Sequence, residues 1–231
     1  MQSRCRTPHL QVITIVAMTR LEVLLKTKSH IIWDWNGTLL DDVDLCVFSI
    51  SQLLRKYSLP EIDRNRYLQC FSFPVANYYQ SLGFDFEKNP FGLIADEWVG
   101  VYQSNFHLAK LHRGAEALLN KLKKSKFSQS VLSAAKETHL LEQLQRFQIR
   151  HLFDHVFGIS DHYAKGKIER GHELIGLLNG NKSEMILIGD TDHDKEVADA
   201  LGIDLLLLGD GHQHPNRLQK FNVPVISISR S

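Results

Sequence analysis

His30-Ile31-Ile32-Trp33-Asp34-Trp35-Asn36-Gly37-Thr38 is the stretch whose reading decides the fold. An apolar, β-prone run leads straight into an aspartate and then into a turn-forming Asn-Gly pair. That is the pattern of a buried strand ending on polar chemistry. The pattern recurs along the chain. Residues 129–132 form a second run, ending at Ser133, and His155–Ile159 a third. Residues 185–188 are a fourth, stopped by Gly189-Asp190, and Asp204–Leu208 and residues 224–228 are a fifth and sixth. Helical periodicity fills the gaps at Ala115–Lys124 and at residues 138–147, 168–178 and 195–201. Near-continuous apolar strands alternating with helices predict an α/β fold, a parallel sheet covered by helices on both faces.

Between residues 43 and 110 this rhythm stops. The segment shows helical periodicity with loops around Pro60, Pro74 and Pro90, and it holds 13 of the chain's 21 aromatic residues. That is enough apolar mass for a small core, so residues 43–110 read as a helical domain inserted into a main domain of residues 28–42 and 111–231. Residues 1–27 read as an extension or a lead-in to the first strand.

Composition narrows the function classes. The 231 residues are 43% hydrophobic and 23% charged, with a net charge of +1, which fits a cored globular protein rather than a disordered or nucleic-acid-binding one. Lys121, Lys123, Lys124 and Lys126 read as a solvated helix face. Cys5, Cys46 and Cys70 are too few and too scattered for a disulfide framework, which points to a reducing compartment. The apolar stretch at residues 12–18 is too short to span a bilayer. Arg4, Arg6 and Arg20 flank it without acidic residues, and the reading adopted is an extension or a start at Met18 in a cytoplasmic protein.

In open parallel sheets, ligands bind beyond the carboxyl ends of the strands. Asp34, Asp190 and Asp194 would converge there as three carboxylates. Such a cluster repels itself unless a cation sits among its oxygens, and hard oxygen donors suit Mg²⁺. The ion would attract a phosphate, to which Ser133 can donate a hydrogen bond and whose charge Lys167 can offset. Lys165 is a second candidate for the lysine, and Lys167 fits better because Ile168 opens the following helix.

Asp34-Trp35-Asn36-Gly37-Thr38-Leu39-Leu40-Asp41-Asp42 resembles the first motif of the haloacid dehalogenase superfamily, usually D-x-D-G-T. Ser133 after an apolar strand resembles the second motif, Lys167 the third, and Gly189-Asp190-x-x-x-Asp194 the fourth. The helical insert is similar to a type-1 cap, as in phosphoglycolate-phosphatase-like members, above a Rossmann-like core. The resemblance implies Mg²⁺-dependent hydrolysis of a small phosphate monoester through an aspartyl-phosphate intermediate. By that likeness Asp34 attacks phosphorus, and Asp34, Asp190 and the Asn36 carbonyl hold the metal with Asp194 in support. Thr38, Ser133 and the backbone N–H groups of the Gly37 turn hold phosphoryl oxygens, and Lys167 bridges Asp34 and the phosphate.

Asn36 departs from the pattern. Members that are phosphatases carry an aspartate there, which protonates the leaving alkoxide and then activates water. A carboxamide does neither, and losing a positioned acid–base group forfeits about 10²–10⁴ in rate. Three compensations are open: a substrate with a good leaving group, a proton from His193 or from a histidine of the insert, or deamidation at Asn36-Gly37. A phosphate-ester-binding protein with attenuated catalysis and a haloacid dehalogenase are the alternative readings. The expected partner is a small phosphorylated metabolite, with neither nucleic acid nor membrane. Asp41 and Asp42 read as shaping the loop into the insert, and His212 and His214 as solvated loop residues.

Overall fold

The computed structural model describes residues 21–125, 127–160 and 166–226. The expectations about residues 12–18, Arg4, Arg6, Arg20, Cys5, Lys126, Lys165 and residues 227–228 lie outside them.

The six runs form one sheet of β1 (His30–Trp33), β4 (Ser128–Lys136), β5 (His155–Ile159), β6 (Met185–Gly189), β7 (Asp204–Leu208) and β8 (Val225–Ile226). A separate two-stranded ladder pairs β2 (Leu40–Asp41) antiparallel with β3 (Lys110–Leu111). The sheet order is β5-β4-β1-β6-β7-β8, and every pairing in it is parallel. The order runs outward in both directions from β1, which is the doubly wound Rossmann arrangement. Its switch point, where the chain reverses its direction of travel across the sheet, lies between β1 and β6.

Alternation along each strand sends successive side chains to opposite faces. Ile31 and Trp33 of β1, Ile186 and Ile188 of β6, and Leu206 and Leu208 of β7 join one buried cluster. Ile32, Leu187, Leu205 and Leu207 join the other. The first cluster takes in α5 (Ala115–Lys124) and α6 (Glu137–Arg146), through Leu119, Leu140 and Leu144. The second takes in α7 (Lys167–Leu178) and α8 (Asp192–Leu201), through Leu174, Val197 and Leu201. Both faces are therefore covered by helices, which is why the middle of each of these strands is apolar.

Two boundaries differ from the sequence reading. The second strand does not stop at Ser133 but runs to Lys136, with a register shift against β5 between Leu132 and Lys136. Ser133 sits at that irregularity. The helix after β6 starts at Asp192, so Asp194 lies in its first turn.

Between β2 and β3 the chain makes four helices: α1 (Val43–Lys56), α2 (Arg64–Cys70), α3 (Val75–Ser81) and α4 (Phe91–Ser104). Their buried residues, among them Ile50, Tyr67, Tyr78, Ile94 and Tyr102, belong to the same cluster as Ile31 and Trp33. The insert's apolar mass is thus continuous with one face of the sheet rather than a core apart. Polar bonds tie it down as well. Arg217 Nη1 donates to the carbonyls of Phe71 (2.6 Å) and Leu68 (3.2 Å), and Gln213 Nε2 donates to that of Phe71 (3.2 Å). No helix among the described residues is long and apolar enough to cross a membrane.

Candidate active site

The three carboxylates of Asp34, Asp190 and Asp194 meet at the switch point, with one oxygen of each within 4.8 Å of the others and all three residues buried. Asp34 follows β1 and Asp190 follows β6, so neighbouring parallel strands place them side by side. Lys167, the first residue of α7, donates from Nζ to Asp34 Oδ1 (2.6 Å) and Asp194 Oδ1 (2.7 Å). It is only 2% exposed, an arrangement a surface lysine would not adopt.

Asp194 serves two purposes. Its Oδ2 accepts from the Thr191 backbone N–H (2.9 Å) and hydroxyl (2.9 Å) and from the Asp190 N–H (3.0 Å), closing a capping box at the start of α8. Its Oδ1 faces Lys167. One carboxylate thus anchors the helix and holds the lysine over Asp34.

Asp190 is wedged between two glycines. A Cβ at Gly37 or at Gly211 would collide with its carboxyl group, and Gly37 also has φ +72°, a conformation that disfavours other residues. Asp190 Oδ1 accepts from the Thr38 hydroxyl (2.8 Å), and Oδ2 accepts from the His212 backbone N–H (2.6 Å). The Thr38 hydroxyl hydrogen is therefore turned to Asp190. The Gly37 N–H donates to Leu40 O (2.9 Å) and to Asp42 Oδ1 (3.0 Å). Ser133, 1% exposed, accepts from the Ala135 N–H (3.0 Å), which leaves its O–H hydrogen to offer.

Charge in this cluster is incompletely balanced. Burial pushes the Asp34 carboxyl up to about 6 against the pull of Lys167. Burial and the neighbouring Asp34 and Asp194 charges push Asp190 to about 8, although the His212 charge opposes this. For Asp194, burial acts upward too, but the Lys167 ammonium outweighs it and the net shift is down. One lysine cannot neutralise three carboxylates, so the site binds protons abnormally tightly. A divalent cation among the same hard oxygens would relieve the same repulsion, and the donor set fits Mg²⁺.

A second buried centre lies alongside, built around Asp42 (1% exposed). Its Oδ2 accepts from Asn36 Nδ2 (2.7 Å) and the Tyr102 hydroxyl (2.7 Å), with Cys46 Sγ at 3.6 Å. Its Oδ1 accepts from the Gly37 N–H and from His212 Nε2 (3.2 Å). Burial acts upward on Asp42, but His212, Tyr102 and Asn36 together hold it below the ordinary carboxylate range. Burial acts downward on His212, but Asp42, Asp190 and Asp34 lift it to about 9. His212 is thus an imidazolium, and its Nδ1–H reaches the Tyr67 oxygen at 2.9 Å.

These residues correct two sequence readings. His212 is 4% exposed and wired to three neighbours rather than solvated, because β7 ends beside β6 and delivers its following loop to Asp190. Asp42 does more than shape a loop: it ties Asn36, the insert's Tyr102 and His212 together. The Asn36 amide orientation follows from that, since an ionised carboxylate accepts only and must face Nδ2. His214 lies nearby but acts on its own backbone, accepting from Asn216 N–H (3.3 Å) as the cap of a short helix.

Over the site lies a cavity of ≈ 190 Å³. Asp34, Asn36, Ser133 and Lys167 line it from the sheet side, and Phe71, Phe73, Tyr78, Phe91, Trp98 and Tyr102 line it from the insert. His193 is not in the lining; its ring stacks on Phe73 (centroids 4.6 Å apart) and its Nδ1 pairs with Glu196.

Comparison with known proteins agrees with this geometry. A model of the haloacid dehalogenase-like hydrolases matches residues 31–208. The chain is 22% identical over 203 residues to the tyrosine-protein kinase PtkA of Mycobacterium tuberculosis, spanning 85% of this chain and 67% of that protein. It is 21% identical over 170 residues to the pyrophosphatase PpaX of Halalkalibacterium halodurans, spanning 71% of this chain and 75% of the other. Among solved structures, a predicted phosphatase from Clostridium acetobutylicum superposes with a TM-score of 0.71 at 20% identity, over 87% of this chain and 94% of that one. The match runs from the first sheet strand to the end of β7 and takes in Asp34, Ser133, Lys167, Asp190 and Asp194, so the chain belongs to the haloacid dehalogenase-like hydrolases.

Proposed function

We propose that the protein is a Mg²⁺-dependent phosphomonoester hydrolase in which Asp34 is the nucleophile. The observation that carries this reading is the Asp34–Lys167–Asp194 arrangement at the sheet's switch point, where a buried ammonium orients one carboxylate and is itself held by another. The relatives named as a kinase, a pyrophosphatase and a predicted phosphatase support phosphoryl chemistry.

In this reading Asp34, Asp190 and the Asn36 carbonyl would hold the metal, with Asp194 in support through the network described above, and the ion would supply positive charge against that of the phosphoryl group. Asp34 attacks phosphorus in line and becomes an aspartyl phosphate. Lys167 offsets charge on Asp34 and on the phosphoryl oxygens, and Ser133 donates its hydroxyl hydrogen to one of them. Thr38 fixes Asp190, and Gly37 allows that carboxylate to approach the turn. Residues 43–110 act as a cap that excludes water.

Asn36 sets the limit on turnover. Its side chain is spent on Asp42 and Tyr102 and carries no ionisable proton. An attenuated enzyme that binds phosphate esters more readily than it turns them over is the second reading, and the same residue favours it. Carbon–halogen hydrolysis has no use for three clustered carboxylates and is the weakest alternative.

The test is hydrolysis of a panel of phosphate monoesters with Mg²⁺ and with EDTA, by wild type and Asp34→Asn. Metal-dependent release of phosphate that Asp34→Asn abolishes is the expected result. Phosphate release that survives Asp34→Asn overturns the assignment of the nucleophile.

A further inference from the structure

The cavity above Asp34 carries information about the leaving group. Its insert side is aromatic, with Trp98 stacked on Tyr102 (5.0 Å, 22°) and Phe71 edge-on to Tyr78 (5.3 Å, 76°) and to Phe73 (5.5 Å, 75°). No charged side chain of residues 43–110 lines it; the lysines Lys136 and Lys167 and the imidazoles of His139 and His212 belong to the sheet side. The rings themselves match a flat apolar group better than the hydroxyls of a sugar. The volume is also informative: an apolar cavity of ~150 Å³ accepts a benzene molecule. At ≈ 190 Å³ this one has room for a single substituted ring.

Asn36 supplies a second observation. A phenol ionises near pH ~10, whereas water ionises near ~15.7 and aliphatic alcohols resemble water. A phenolate therefore departs from phosphorus without a proton donor, and an alkoxide does not.

We propose that the substrate is an aryl phosphate monoester whose single ring packs against the aromatic wall of the cavity. The inference rests on the phosphatase reading and names its substrate class. An Asp34 oxygen forms a bond to phosphorus as the P–O(aryl) bond breaks, and that electron pair leaves on the phenolate, which takes a proton from solvent. Water then attacks the phosphorus of the aspartyl phosphate. The acyl P–O bond returns its electrons to Asp34, inorganic phosphate forms, and the proton of the water goes to solvent.

Aryl phosphates are intrinsically more reactive than alkyl ones, so turnover alone does not test this, and non-reacting analogues come first. Phenylphosphonate and methylphosphonate are titrated against the Mg²⁺-loaded wild type by calorimetry, with Trp98 fluorescence followed in a Trp33→Phe, Trp35→Phe background. The expected result is about 10- to 100-fold tighter binding of the phenyl compound, with quenching of Trp98. A second arm compares phenyl phosphate with a phosphotyrosine peptide as substrates, and the small ester is expected to be the better one because the cavity holds one ring. Equal binding of the two phosphonates, together with Asp34-dependent hydrolysis of alkyl phosphates, overturns the inference and leaves the phosphatase reading standing. Ring-selective binding with no Asp34-dependent hydrolysis of any ester overturns the phosphatase reading and retains the aromatic ligand.

Discussion

Two buried acidic centres lie side by side in this molecule, and they are provisioned in opposite ways. Around Asp34, Asp190 and Asp194 the donors are too few for the charge, and two of the three carboxyls are pushed up, to about 6 and about 8. Around Asp42 the donors are abundant: Asn36, Gly37, Cys46, Tyr102 and His212 all point at one carboxylate, which is held below the usual range. A centre short of positive charge is built to take something from solution. A centre already satisfied is built to hold shape, and here it holds the insert's Tyr102 and Tyr67 against the Asn36 turn. The difference predicts that mutations in the first should cost activity, and mutations in the second should cost stability.

The sharpest test of the first half is Asp34→Asn, which preserves volume and removes the attacking charge. Hydrolysis should fall by about 10³-fold or more, while the urea midpoint stays level or rises as one buried charge disappears. A large loss of stability without loss of turnover would reverse the roles of the two centres. For the second half, Asp42→Asn strands the His212 imidazolium without its main counter-charge. Breaking a buried pair in this way costs about 3–5 kcal/mol, measured by urea unfolding. An Asp42→Asn protein as stable as wild type would show that the centre does not organise the insert.

The sequence disclosed these two centres unequally. The strand-end rule located Asp34, Ser133 and Asp190 because apolar runs stop abruptly at each, and Lys167 because a helix opens there. The same rule applied to β7 points to the Gly209-Asp210-Gly211-His212 loop, yet a glycine-containing loop is usually wet, so from sequence His212 reads as solvated. Asp42 was harder to see. It sits beside Asp41, which is exposed, and nothing in the local pattern distinguishes the acid turned inward from the one turned outward. Its partners Tyr102 and His212 are 60 and 170 residues away, so only the folded chain assembles them. The aromatic richness of residues 43–110 was visible, but which rings face the cavity depends on helix orientation that composition does not encode.

Metal addition sharpens the contrast next. Carboxyls raised in the folded state bind protons more tightly there than in the unfolded chain. Their ionisation therefore destabilises the fold progressively as pH climbs from about 4 through the raised values. Mg²⁺ replaces those protons, so its stabilising effect should be small at pH 5.5 and larger at pH 8. At a hundredfold excess over its Kd a bound ion contributes about 2.7 kcal/mol. Thermal unfolding with and without Mg²⁺ at both pH values measures this. Asp190→Asn should abolish the shift, and a shift independent of pH would place the ion elsewhere.

The smallest expected effect is also the most diagnostic, because it concerns the residue shared by both centres. Asn36→Asp looks from sequence like a repair that returns the missing acid. The geometry argues otherwise: Asn36 Nδ2 lies 2.7 Å from Asp42 Oδ2, and a carboxylate at position 36 would put two acceptors and two negative charges face to face. Losing the donor and gaining the repulsion should cost about 1–3 kcal/mol, and the like charge should raise the titration of the new acid, leaving less of it ionised to activate water. The exchange Asn36→Asp with Asp42→Asn restores one donor facing one acceptor, with a single charge beside His212. A double-mutant cycle should therefore show the pair to be more stable than the two single changes predict. Turnover of alkyl phosphates should appear in the double variant before it appears in Asn36→Asp alone. Additive stabilities, or full alkyl phosphatase activity in the single variant, would mean that Asp42 does not govern position 36, and that the separation between a reactive centre and a structural one fails where they touch.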